Sequence, residues 1–179
     1  MKKVTVFGGG TGLSTLLKGL KEFPIEINAV VSVCDDGRST GKLRKEFNIP
    51  AMGDIRRVMI SLATTEPLME KLLDYRFDTT SDLNEHTVGN LLLTAASQIT
   101  GNLSDGIRTI SNVLNLKGKV IPFSEDNINL IGEMENGEII VGESEITSFP
   151  SKVKRVYYQT EPTICADVIN AINESDLII

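Results

Sequence analysis

Residues 4–17 read VTVFGGGTGLSTLL, and this stretch decides the fold. Val4 to Phe7 have the β-branched, apolar texture of a short buried strand. Gly8, Gly9, Gly10, Thr11 and Gly12 follow at once, and then Leu13, Leu16, Leu17 and Leu20 recur at helical spacing. The pattern predicts a strand over 3–7 and a helix over about 13–23. A connection needs one or two glycines to turn, whereas four in five residues suggest that something comes close to the backbone. One reading is a phosphate held by free N–H groups at a helix N-terminus. The plainer reading is a tight strand–helix turn.

Working outward, residues 26–33 (EINAVVSV) read as a second buried strand. Strand, helix, strand is a βαβ unit, so the expected fold is α/β: a Rossmann-like, mostly parallel sheet flanked by helices. A polar loop over 34–41 comes next. Asp54 reads as the N-cap of a helix through 55–63, with further helices over about 66–75, 86–100 and 104–115. From Leu91 the third of these is apolar nearly all round, which predicts a central, buried helix. Residues 118–158 lose helical periodicity and read as a small β-hairpin-rich section, with Glu135-Asn136-Gly137-Glu138 as a type I′ turn. A helix over about 163–173 and a buried strand over 176–179 close the sequence.

The 179 residues fit one domain, and 41% hydrophobic content supplies a core. A net charge of -6 argues against general nucleic-acid binding. No apolar run reaches the length of a membrane span. Cys34 and Cys165 form no CxxC pair and fit a reducing, cytoplasmic setting. His86 is the only histidine, which excludes a His-rich metal site.

Four stretches could carry chemistry. The glycine run says phosphate or nucleotide without saying which. Its spacing breaks the dinucleotide fingerprint, whose last glycine would fall on Leu13 or Thr15, and no Gly-Lys-Ser/Thr follows. Asp35 and Asp36 end the second strand, where a carboxylate can accept from a ribose or hold Mg²⁺; an Asx turn before Gly37 is the alternative. In Gly53-Asp54-Ile55-Arg56-Arg57, two arginines in a helix's first turn oppose its dipole, and a bound anion would reverse that sign. Arg56 is assigned to the anion and Arg57 to solvent. In Glu85-His86-Thr87-Val88-Gly89-Asn90, Gly89 leaves room for a close approach and Asn90 can donate and accept toward a base or sugar edge. His86 is either a ligand contact or a packing residue.

These motifs, Gly8–Ser14, Asp35–Gly41, Gly53–Arg56 and His86–Leu91, resemble the gluconeogenesis-factor family, related to the 2-phospho-L-lactate transferases of the CofD-like group. The departures from the family pattern are Arg38 in place of a second glycine, Met52 near a usual proline and Arg57 near a usual asparagine. The resemblance implies a nucleotide in a cleft formed by Gly8–Gly12, Asp35, Asp36, Ser39, Thr40, Arg56, His86, Gly89 and Asn90. It implies either a cytoplasmic regulator that binds UDP-sugars, linked to gluconeogenic growth, cell shape and cell-wall synthesis, or a Mg²⁺-dependent phospholactyl transferase acting on a deazaflavin. The binding reading requires no cofactor; Mg²⁺ would sit on Asp35 and Asp36. An NAD-type oxidoreductase is a third reading, weakened by the broken glycine spacing. The expected partner is a nucleotide or nucleotide-sugar, and a homo-oligomer is compatible with the sequence. The family continues past the last strand, so residues 1–179 are expected to be the N-terminal part of a longer protein with one wall of the cleft beyond Ile179.

Overall fold

A computed structural model describes residues 1–64 and 67–179. It opens with β1 (Lys2–Gly8), α1 (Gly10–Leu20) and β2 (Ile25–Val31), the expected βαβ unit. β1 and β2 run parallel in continuous register from Lys2 opposite Ile25 to Gly8 opposite Val31. Side chains alternate across this sheet as the pleat requires. Val4, Val6, Ile27, Ala29 and Val31 face the main core with Leu13 and Leu17 of α1. Val30 belongs to a smaller cluster on the opposite face.

The next five elements are helices. They are α2 (Arg38–Phe47), α3 (Gly53–Leu62), α4 (Pro67–Asp74), α5 (Val88–Thr100) and α6 (Leu103–Val113). Two of the sequence expectations change here. The segment read as a polar loop turns into α2 at Arg38. Asp54 does not cap α3, whose N-cap is Met52 with no side-chain cap bond. Asp54 lies in the first turn and points elsewhere. The helix expected over 66–75 starts on a residue outside the described ones, and α4 occupies the rest of it. α5 is capped by Thr87, whose side chain accepts from the Asn90 N–H. It is one-sided rather than buried all round: Leu93 and Ala96 enter the core while Leu92 and Ile99 are exposed.

β3 (Lys119–Pro122) then pairs with β2 in parallel, so this part of the expected β-rich section belongs to the main sheet. The rest forms a separate antiparallel unit. It comprises β4 (Leu130–Met134), β5 (Ile139–Val141), α7 (Glu143–Ser148) and β6 (Val153–Tyr158), in sheet order β5-β4-β6. The β4–β5 turn is not type I′, because only Gly137 carries a positive φ, of 89°. Its N–H donates to Met134 O (3.0 Å), and the Met134 N–H donates to Glu138 O (2.9 Å). This is the pattern of a type I turn closed by a left-handed glycine.

α8 (Ala166–Glu174) returns along the second face of the main sheet, where Val168 and Ala171 pack on Val30 and Ile121. Thr5 Oγ1 donates to Ala171 O (3.1 Å) and ties that helix to β1. β7 (Leu177–Ile178) pairs in parallel with β1 and completes the order β3-β2-β1-β7. Ile179 stays in register, donating to Thr5 O and accepting from Phe7 N–H. This strand is half exposed, not buried as its composition suggests. No helix among the described residues is long and apolar enough to cross a membrane.

Candidate functional site

The glycine run joins β1 to α1 as expected, with Gly9 as the extended N-cap and Gly10 at φ 61°. What comes close to it is a side chain of the protein. A Cβ on Gly9 would stand 2.6 Å from Asp54 Oδ2, so a side chain there would have to push that carboxylate aside. Asp54 thus occupies the positive end of α1, as a ligand anion would. Its side chain is 15% exposed and pairs with the half-exposed Arg57 at 3.4 Å. Thr11 and Gly12 form the first turn of α1 and are exposed. Ser14 Oγ donates back to Gly10 O (2.9 Å).

Burial, reinforced by the Asp35 charge, pushes the Asp54 carboxyl above the usual carboxylate range; Arg57, the Gly10 N–H and Arg56 oppose this. The fold therefore binds a proton at Asp54 more readily than the unfolded chain does. Stability then falls as pH rises from the ordinary carboxylate pKa, about 4, through the raised value. Asp54→Asn should accordingly raise the melting temperature at pH 7, with a gain that vanishes below about pH 4. Thermal melts at both pH values check this. A lower melting temperature at pH 7 would mean that the Gly10 and Arg57 contacts outweigh burial.

The two adjacent acids after β2 diverge. Asp35 Oδ1 accepts from the Gly37 N–H (3.0 Å), an Asx turn, while Oδ2 lies 2.7 Å from where a Cβ on Gly53 would be. Asp36 turns to the antiparallel unit, where Oδ1 accepts from the Ser144 N–H (2.8 Å) at the start of α7. Glu143 lies near enough that burial and the charges of Asp35, Asp54 and Asp36 push its carboxyl up. Among the described residues no three or more Asp, Glu, His or Cys converge as a metal cage. Mg²⁺ commonly takes one or two carboxylates and completes its shell with water and substrate phosphate. Asp35 Oδ2 fits that pattern; Asp36 has one oxygen committed to Ser144.

The remaining sequence candidates meet across α2, α3 and α5. A cleft of about 190 Å³ is lined by Asp35, Ser39, Thr40, Arg56, Arg57 and Asn90, together with Gly37, Gly53 and Arg76. Ser39, Thr40, Arg56 and Asn90 are all buried. Arg56 pairs with Asp74, and its stem lies where a Cβ on Gly89 would be, 2.7 Å from Cδ. Asn90 Nδ2 donates to Ser39 Oγ (3.3 Å), which also lies 2.9 Å from His86 Nδ1. His86 stands behind Ser39 and faces a second, outer opening with Lys42, Lys45, Glu46 and Asp82. Among the described residues, two buried side-chain polar atoms have no partner: the donor Arg56 Nε and the acceptor Asn90 Oδ1. Buried polar groups are nearly always satisfied, and both of these belong to residues on the wall of one cleft.

The glycine run does not line this cleft; Arg57 links the two, pairing with Asp54 while lining the cleft. Three participants were missed in the sequence. Arg76, which donates to Glu85 O, sits between two aromatic residues with no motif around it. Glu143 reaches the region from α7, distant in the chain, and Arg44, although it lies in α2, holds oxygens of residues 127–129, for which one sequence carries no signal.

A parallel sheet with a glycine-rich turn after its first strand, and a polar cleft beyond the carboxyl end of its second, defines a Rossmann-like α/β protein. The chain belongs to the CofD family, whose model, described as 2-phospho-L-lactate transferase CofD, matches residues 4–179. It is 49% identical to a gluconeogenesis factor of Halalkalibacterium halodurans, over 99% of this chain and 56% of that protein. It is 46% identical to the gluconeogenesis factor of Bacillus subtilis, with the same two coverages. A crystal structure of a Bacillus halodurans protein superposes with a TM-score of 0.96 at 48% identity, over 99% of this chain and 57% of that one. A second, at TM-score 0.95, is described as a member of the UPF0052 family. The chain thus spans a little over half the length of these relatives.

Proposed function

We propose that this chain is the nucleotide-binding part of a gluconeogenesis-factor protein that binds a UDP-sugar in the Ser39–Asn90 cleft and acts as a regulator of gluconeogenic growth and cell-wall synthesis. The observation that carries the binding reading is the pair of unpartnered buried atoms, Arg56 Nε and Asn90 Oδ1, on two residues that line one cleft. A ligand offering both an acceptor and a donor would satisfy them, and a nucleotide offers both. Arg56, Arg57 and Arg76 give the cleft the charge that a diphosphate needs. The similarity to gluconeogenesis factors supports the regulatory role.

A Mg²⁺-dependent phospholactyl transfer to a deazaflavin is the second reading, favoured by the description of the matching family. In it, Asp35 would help to hold the ion, which would neutralise phosphate charge. Arg56 would position the anion beside it.

Titration calorimetry of the whole protein with UDP-sugars, GDP and NAD⁺, with and without Mg²⁺, tests both. A charge-assisted hydrogen bond contributes about 1.5–3 kcal/mol, so Arg56→Gln should weaken UDP-sugar binding tenfold or more. Arg57→Ala, at a half-exposed position, should change it by about threefold at most. Absence of UDP-sugar binding, or wild-type affinity in Arg56→Gln, would sink the proposal. Tight GDP binding that requires Mg²⁺ would favour the transferase.

A further inference from the structure

Asn90 is held firmly at the start of α5. Its N–H donates to Thr87 Oγ1 (3.2 Å), its carbonyl accepts from Thr94 Oγ1 (2.9 Å), and its side chain is tied to Ser39. A side-chain amide has two ends of opposite polarity, and a serine hydroxyl can satisfy either one. Ser39 alone would not decide which end it holds and which end is left over. The His86 tautomer decides it. With its proton on Nε2, a neutral imidazole accepts at Nδ1 and takes the single hydroxyl proton of Ser39, 2.9 Å away. Ser39 is then left with lone pairs only, and the amide must offer it the NH₂ group. The oxygen is the end left over, and it is the end found without a partner.

We infer that Ser39 and His86 fix the polarity of the Asn90 amide, so that the bound nucleotide must present a hydrogen-bond donor, a base imide N–H or a ribose hydroxyl, to Asn90 Oδ1. This rests on the nucleotide reading above and adds the orientation of the ligand within the cleft. Phosphate and carboxylate oxygens, which only accept, are repelled from Oδ1 and belong on the arginine side. Asn90 is a specificity residue in this scheme, and His86 is a positioning residue that acts through Ser39.

The polarity depends on His86 remaining neutral. Burial keeps its pKa below the ordinary value, helped by Lys42 of α2 and Arg76 of the α4–α5 segment and opposed by Glu46 and Glu85. Lys45 and Asp82 share its outer opening. Once protonated, His86 donates to Ser39, the hydroxyl proton is released, and Ser39 no longer selects one end of the amide.

The test is calorimetry on the whole protein with UDP, N3-methyl-UDP and 2′-deoxy-UDP. One of the two analogues should bind at least tenfold more weakly than UDP, the first if Oδ1 reads the base and the second if it reads the sugar. That penalty should disappear in Asn90→Ala and persist in Arg57→Ala. A second arm keeps the proposal open to refutation if Asn90→Ala folds poorly. His86→Asn retains an acceptor near the Nδ1 position, so it should recover most of the affinity lost in His86→Leu. Its binding should also stay flat as the pH falls below about 6.5, the ordinary histidine value, where the wild type weakens progressively. If UDP binds but both analogues match it, or if their penalties survive Asn90→Ala, the inference falls and the nucleotide reading stands. If no uridine nucleotide binds, both fall.

Discussion

Gly41→Ala is expected to lower stability by about 3 kcal/mol or more and, on the proposed function, to weaken nucleotide binding. Gly41 lies in the first half of α2, and a Cβ there would overlap the Asp36 carbonyl oxygen, with the carbonyl carbon at 3.1 Å. The obstacle is backbone, so no rotamer change relieves it. Asp36 cannot retreat either, because its side chain holds the Ser144 N–H while the side chain of Asp35 holds Gly37. The relief available is a shift of α2, which would carry Ser39 and Thr40 away from the cleft wall and loosen Leu43 in the core. At about 2–4 °C per kcal/mol for a chain of this size, the melting temperature should fall by roughly 6–12 °C. Gly12→Ala is the matched control. Nothing lies within 4 Å of its Cβ position in α1, so it should stabilise by about 0.5–1 kcal/mol. Thermal melts of the two variants side by side decide this, and a Gly41→Ala protein that melts with the wild type would show that α2 is free to slide.

The contrast between these two glycines shows where the sequence was legible. The βαβ start could be read because strand and helix announce themselves by local period, and the core faces of β1 and β2 follow that period residue by residue. α2 could not be read. Its ten residues, RSTGKLRKEF, place only Leu43 in the main core and bury Arg44, so the apolar stripe that marks a helix is missing. The helix is held instead by polar contacts to segments far away in the chain.

The candidate site divides in the same way. Arg56 and Asn90 suit a nucleotide by residue type, Ser39 and Thr40 come with the family resemblance, and the fold brings all four to one cleft. The partners of the acids were out of reach. Asp54 looks like an N-cap in its local sequence, yet its carboxylate faces Gly9 across more than forty residues of chain. Asp36 ends on Ser144, more than a hundred residues away. Capping and turn rules describe what a carboxylate does with its neighbours, and they lose to a helix N-terminus that tertiary structure brings closer.

Arg44 carries this argument furthest, and Arg44→Met should lower stability by about 3–5 kcal/mol. Arg44 is 4% exposed. Nη1 donates to the Cys34 and Asp35 carbonyls (both 3.2 Å), and Nη2 to Ile128 O (2.7 Å), Asn127 Oδ1 (2.8 Å) and Asn129 Oδ1 (3.2 Å). Nε adds a further bond to Asn127 Oδ1 at 3.0 Å. One side chain thereby joins the loop after β2, the helix α2 and the strand entry of β4. Methionine matches the stem and supplies no donor, so five oxygens lose their partner, three of them backbone carbonyls. Lysine keeps the charge but offers three donors from a single point, so Arg44→Lys should recover only part of the loss. In urea, Arg44→Met should shift the midpoint down with an unchanged slope if the antiparallel unit unfolds together with the sheet. Should that unit detach first, the slope falls, and amide protection at Ile131 is lost before protection at Val30. A change below about 1 kcal/mol would instead mean that the burial cost of the guanidinium nearly cancels its hydrogen bonds, as happens when some buried ionic groups are exchanged for apolar ones.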